Sequence, residues 1–276
     1  MASTLTRTLR QMPVTAMLGI AIIVAYAIVA ILAPLLAPYG EAEIVGAQFE
    51  PQGGDHLLGT DNLGRDMLSR LIWGARNTVG VALVTTALAF AIGAVTGLLA
   101  ATLGGWPDMI LSRIVDILMA VPALIFTLLA LSALGPGVWN LVMVIAVLDA
   151  TRVYRLTRAT AMNVIVMDYV EAARLRGEGT WWIIRREVLP NIAAPLIAEF
   201  GLRFCFVFLT ISALSFLGLG LPPPMADWGG MVRDNAALIT FGDTTPLLPA
   251  ACIAVLTVAV NFVVDWMLHR ASGLKD

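Results

Sequence analysis

Long apolar runs fill most of the chain, and short polar stretches cut them into six blocks. The blocks lie at about residues 14–37, 78–103, 110–134, 138–157, 193–218 and 246–268, and each is long enough to cross a hydrocarbon layer as a helix. Between acyl chains a peptide finds no water to bond, so each run must satisfy its own amides, as a helix does. The expected architecture is therefore an all-α integral membrane protein of six spans in one domain covering residues 1–276. The first apolar run exceeds the 7–15 residues of a secretory leader core and is read as a retained span. Two polar segments, about 38–77 and 219–245, fall on one side of the bundle, and a charged one, 159–192, falls on the other.

Within the second block Ala89, Gly93, Gly97 and Ala101 recur every four residues, a stripe on which another helix can approach closely. Pro122 sits inside the third block and removes a backbone hydrogen bond, which favours a kink there; the kink either serves a gate or only shapes the bundle. Pro222, Pro223 and Pro224 cannot continue a helix and must close the fifth span. Trp73 and Trp228 flank these segments and are placed at the membrane interface, where an indole keeps its donor wet.

Composition agrees with the pattern. The 276 residues are 59% hydrophobic and 13% charged, too little charge for a soluble domain of this length. A net charge of −2 gives no basic surface for nucleic acid. Cys205 and Cys252 both lie in apolar runs and read as small buried side chains. The cations set the orientation. With the N-terminus inside, twelve fall on the cytoplasmic side: Arg7, Arg10, Arg113, Arg152, Arg155, Arg158, Arg174, Arg176, Arg185, Arg186, Arg270 and Lys275. Four fall outside: Arg65, Arg70, Arg76 and Arg233. Both termini are thus expected in the cytoplasm. Asp55 belongs to an acidic outer segment, but acids weigh little in this rule.

The segment 159–192 carries the densest charge. Asp168–Arg176 has helix-forming composition; Ala172 and Ala173 would give it a face small enough to enter a groove on a partner. Glu171 could cap that helix or make a charged contact, and Gly177 would end it. Trp181, Trp182, Ile183 and Ile184 look interfacial, with Arg185 and Arg186 toward headgroups. By spacing alone, this segment could equally be a cationic loop that only fixes topology. Charges inside the spans are functional candidates because uncompensated burial is costly. Glu199 and Arg203, four apart, either line a pathway or neutralise each other. Arg113 with Asp116 and Asp149 with Arg152 read as local pairs; Asp265 is ambiguous.

Four blocks of residues resemble the dipeptide, oligopeptide and nickel importers of the ABC class, in particular the shorter of their two permease subunits. The first runs from His56 through Gly59, Asp61, Gly64, Arg65 and Asp66 to Ser69, Arg70 and Arg76. The second is Asp149–Arg155 with the Glu171-Ala172-Ala173 loop; the third is Leu214–Gly220 followed by Pro222-Pro223 and Asp227-Trp228-Gly229; the fourth pairs Asn261 with Asp265. The resemblance implies a six-span type I permease that joins a second, homologous permease, two ATPase subunits and an extracytoplasmic binding protein in a bacterial inner membrane. It implies that Glu171, Ala172, Ala173 and Gly177 couple the ATPases to the gate. ATP and Mg would sit on the partner ATPases, and this chain would carry no cofactor, metal or catalytic residue. Departures occur at Ile211, where many relatives have an acid, at Arg203, where they have small or apolar residues, and at His269-Arg270-Ala271, where Asp-Pro-Arg is common.

The residues exclude some rivals directly. A phosphate-binding loop needs Gly-Lys-Ser/Thr, and the only lysine is Lys275, at the end of the chain. An intramembrane protease needs an activated group in the bilayer, but the two histidines, His56 and His269, lie outside the runs. Substrate is expected to be a peptide; a nickel or other metal chelate, an opine or a glycoside stays open.

Overall fold

The computed structural model describes residues 12–54 and 56–271; Arg7, Arg10, Asp55 and Lys275 lie outside them. Among the described residues the chain is helical, with only isolated bridges in place of strands. The helices are α1 Val14–Leu36, α2 Met67–Leu103, α3 Gly105–Ala120, α4 Ala123–Leu134, α5 Val138–Ile165 and α6 Asp168–Leu175. They continue with α7 Thr180–Ile183, running through a π-helical turn, Ile184–Val188, into α8 Leu189–Phe216. Last come α9 Trp228–Asn235, a 3-10 turn at Ala236–Phe241, and α10 Leu247–Ala271.

By length and apolarity four of these can cross a membrane: α1, α2, the continuous α7–α8 and α10. The pair α3 and α4 makes a fifth if it is one element, bent by 88° at Val121-Pro122. The proline thus marks a right-angle break, sharper than the kink its position implied. Large apolar side chains such as Ile31, Leu35, Ile117 and Leu129 stay exposed on the outer faces, as hydrocarbon permits and water does not.

Several boundaries differ from those read in the sequence. Helix α2 starts at Met67, well before residue 78. Its first turns look like loop because they carry Ser69, Arg70, Arg76 and Asn77. Tertiary partners satisfy most of these: Arg70 Nη1 donates to Glu41 O at 2.8 Å, and Asn77 Nδ2 to Glu41 Oε2 at 2.8 Å and Ala226 O at 3.0 Å. Helix α5 likewise runs to Ile165, into the segment expected to be loop.

Helices α2 and α5 make the most extensive contact, and the small-residue stripe explains it. A Cβ on Gly93 would stand 2.5 Å from Ala150 O and 2.6 Å from Val153 Cβ. One on Gly97 would stand 2.9 Å from both Thr157 Cβ and Tyr154 O. Main chain packs directly on main chain there. The largest core cluster gathers Phe204, Phe208, Ile211, Leu214, Leu256 and Met67 around Trp228. Trp228 corrects an expectation. It is 1% exposed, donates from Nε1 to Leu71 O at 3.0 Å and meets Tyr26 and Phe208 edge-on. Gly74 makes room for it, since a Cβ there would fall 2.6 Å from the indole. Trp73 is half-buried and donates to Tyr39 O.

Candidate functional site

One pole of the bundle is built from the C-terminal ends of α2 and α5 with α6 and α7. Helix α6 opens with Asp168 and Glu171 and closes with Arg174, charges that suit its dipole. Val170 and Ala173, three apart, are fully buried among Leu98, Ala161, Ile183 and Val188. Glu171 and Ala172 are exposed, and Leu175, four residues past Glu171, is 84% exposed. The sequence expectation of an open Ala172–Ala173 face is therefore half corrected: Ala173 anchors the helix to its own chain, and Ala172 shares the open face with Glu171. Gly177 adopts φ +84°, which a side chain would strain, and Glu178 N–H donates back to Ala173 O at 3.2 Å. Ile183 and Ile184 are buried in the cluster that holds Val170 and Ala173 of α6, not interfacial, while Trp181 stays exposed.

Midway along the bundle four charges converge from α5 and α8. Arg203, 7% exposed, lies with Nε 2.8 Å from Glu199 Oε1 and Nη1 3.6 Å from Asp149 Oδ1. Asp149 is also held by Arg152 Nη1 at 3.2 Å. The Arg203 guanidinium sits 4.7 Å from the Phe206 ring centroid. The two local pairs read in the sequence thus form one cluster across two helices. A cavity of about 200 Å³ lies between Pro122 at the helix break and the Asp149–Arg152 edge of this cluster.

Other ion pairs tie α3 to α5. Asp116 accepts from Arg155 Nη2 at 2.7 Å, not from Arg113 as spacing implied. Asp108 takes Arg158 in a fork, through Nε and through Nη2 at 2.6 Å, and Ser112 Oγ shares a hydrogen bond with Tyr154 OH. Sequence reasoning missed Asp108–Arg158, which spans fifty residues; the only signal was an arginine repeated on one face of α5. Asp265 is exposed on α10, and Asn261 Nδ2 donates to Thr257 O of its own helix. Ile211 is fully buried in the main core. Cys205 and Cys252 are free thiols.

The opposite pole shows what the His56–Arg76 block does locally. Asp61 accepts from Leu63 N–H, Arg65 N–H and the Arg65 side chain, all within 3.0 Å. Asp66 caps α2 through Ser69 N–H and Ser69 OH, both at 2.7 Å, and meets His56 Nδ1 at 3.3 Å. Asp227 caps α9 through Gly230 N–H at 3.0 Å and accepts from Thr78 OH at 3.0 Å. Burial pushes the Asp227 carboxyl above its ordinary range, against the pull of those donors. Among the described residues no group of three His, Cys, Asp or Glu side chains could hold a metal ion.

A bundle in which four helices are long and apolar enough to cross a membrane, with a fifth, bent pair beside them, is the architecture of an integral membrane protein. The chain belongs to the family of binding-protein-dependent transport system inner membrane components, whose model matches residues 93–272. It is 35% identical over 254 residues to a putative peptide transport system permease protein of Brucella suis, covering 90% of this chain and 83% of that one. It is 37% identical over 258 residues to the di/tripeptide transport system permease protein DppC of Pseudomonas aeruginosa, covering 90% and 82%. The dipeptide permease protein DppC of Alkalihalophilus pseudofirmus is 34% identical over 264 residues, covering 95% and 84%. The fold matches a crystal structure of an amino acid ABC transporter with TM-score 0.53 at 21% identity, over 74% of this chain and 94% of that one.

Proposed function

We propose that the chain is one of two permease subunits in an ATP-driven importer of the bacterial inner membrane, and that it carries di- and oligopeptides. The second permease is a homologue; two ATPases hold ATP and Mg; an extracytoplasmic binding protein delivers the peptide. The names of the relatives support the substrate class. A metal chelate, opine or glycoside would need the same machine with another binding protein.

Six spans follow if α5 joins the four apolar helices and the broken α3–α4. At 28 residues α5 is roughly 42 Å long, more than the ~30 Å hydrocarbon core. Its charges lower its apolarity, yet Asp149, Arg155 and Arg158 each meet an opposite charge on a neighbouring helix. The arginine distribution supports α6 in the cytoplasm, with both termini. Single cysteines at exposed Leu57 and Phe241 should react with an impermeant thiol reagent in intact cells, and one at Leu175 should not. Asp227 would be a poor probe, since it is 3% exposed. Labelling at position 175 would invert this topology.

The observation that carries the coupling role is α6 itself: anchored by Val170 and Ala173, it presents Glu171, Ala172 and Leu175 to a partner. ATPase closure would move α6 and, through the buried anchor, the ends of α2 and α5. Glu171→Lys reverses an exposed charge and should leave assembly intact while uptake of alanyl-alanine falls at least about tenfold. The same loss is expected for Gly177→Val, where a branched side chain meets φ +84°. Normal uptake and normal peptide-stimulated ATP hydrolysis in both would refute the coupling role.

A further inference from the structure

Helices α2 and α5 pack main chain on main chain at Gly93 and Gly97, but at the pole of the His56–Arg76 block a groove of about 240 Å³ lies open between them. Arg76, Gly80 and Val84 line it from α2; at four-residue spacing they form one stripe down the helix, roughly 12 Å long. Val138, Trp139 and Val142 line it from α5. The stripe begins with a cation, has a gap in its middle and ends apolar. A Cβ on Gly80 would meet nothing within 4 Å, so the missing side chain gives the groove its depth. Val84 is 50% exposed and Trp139 72%, so the groove opens away from the bundle.

Arg76 is exposed, and its guanidinium sits 5.9 Å from the Trp73 ring centroid. Among the described residues its side chain has no carboxylate partner. Glu41, bound to the adjacent Asn77, directs its Oε2 to Asn77 Nδ2 and Ala226 N–H. Arg76 differs in this from Arg65, Arg70 and Arg233 of the same pole, each of which meets an aspartate.

The order of polarity along the groove identifies what fills it. Before Arg76 the helix carries Ser69 and Arg70, and after Thr78 it is apolar to Leu103, so Arg76 stands where headgroups give way to hydrocarbon. Trp139, in the first turn of α5, suits the same level. A phospholipid has this polarity, phosphate above and acyl chain below, and a guanidinium binds phosphate through paired N–H donors. The groove is smaller than the ~300–1,000 Å³ that encloses a drug-sized ligand, so it takes part of a molecule whose remainder lies in the bilayer. A helix of another subunit would fill the apolar floor and still leave Arg76 without a counter-charge. We propose that this groove binds an anionic phospholipid of the adjoining leaflet, its phosphate held by Arg76 and one acyl chain laid over Gly80 between Val84 and Val142. The site needs only the membrane setting, whatever the transporter carries.

The test is quenching of Trp139. The intact transporter is placed in phosphatidylcholine vesicles, and its emission is compared with that of Trp139→Phe to isolate the Trp139 signal. Phosphatidylglycerol brominated near the glycerol end of its acyl chains should half-quench that signal at a mole fraction about fivefold lower than equally brominated phosphatidylcholine. Arg76→Gln should remove the preference, and Arg76→Lys should keep it. Gly80→Leu fills the groove with Arg76 in place and should also remove it; should Arg76→Gln fail to insert, this variant carries the same reading by shape. Equal quenching by both lipids makes Arg76 an ordinary bilayer contact and overturns the proposal. Quenching by neither puts a protein partner over the groove and overturns it too, as does a preference that survives Arg76→Gln or Gly80→Leu.

Discussion

Removing Arg203 should expose how strongly the charge cluster holds α5 to α8. The guanidinium is nearly buried, faces Glu199 at 2.8 Å and Asp149 at 3.6 Å, and stacks near Phe206. Arg203→Met keeps most of the apolar volume and leaves two carboxylates short of a partner. Breaking a buried pair from one side costs about 3–5 kcal/mol, and an acid at the bilayer centre about 2.5–3.5 kcal/mol. Asp149 keeps Arg152 at 3.2 Å, and the Glu199 side chain is 16% exposed, so the lower figure, about 3 kcal/mol, applies. Adding Glu199→Gln removes the orphaned charge and should restore about 2 kcal/mol, a factor of roughly 30 in the folded fraction. Adding Asp149→Asn instead should restore less, because that contact is longer and Arg152 would then lose its partner. The assay is a double-mutant cycle on denaturation of the purified complex by sodium dodecyl sulfate, followed by tryptophan fluorescence. Strict additivity of Arg203→Met and Glu199→Gln, or no loss from Arg203→Met alone, would refute the pairing.

Gly93→Ala pushes a methyl into the Ala150 carbonyl and should destabilise the α2–α5 contact by about 1–3 kcal/mol. Gly80→Ala on the same helix meets nothing within 4 Å and should be neutral or stabilising; parallel melting curves of the two decide whether close approach matters. The folded-state pKa of Asp227 is raised above the unfolded value of about 3.9, so folding takes up a proton at any pH between the unfolded and the folded pKa. The wild type should therefore gain Tm over Asp227→Asn on acidification and lose that gain as pH rises through the folded pKa; a Tm difference independent of pH would refute the shift.

The sequence determined the solvent of this protein and most of its helices, because apolar length and amide satisfaction in hydrocarbon are properties of contiguous residues. It also determined the close face of α2, since glycine and alanine at four-residue spacing describe a helix surface without knowledge of what lies opposite. The Glu199–Arg203 pair was legible for the same reason, being one turn apart. Tertiary structure decided everything that joins distant residues. Trp228 looked amphipathic and interfacial, but Gly74 of α2, Tyr26 of α1 and Phe208 of α8 build a pocket for it from three other helices. The polar start of α2 looked like loop until Glu41 and Asp61 supplied its partners. Asp116 found Arg155 across the bundle in preference to Arg113 on its own helix, and Asp149 joined Arg203. Ala173 turned inward and Ala172 outward because Val170 fixed which side of α6 the second core would cover. Periodicity gives a helix its faces, while their burial depends on where the rest of the chain comes to lie.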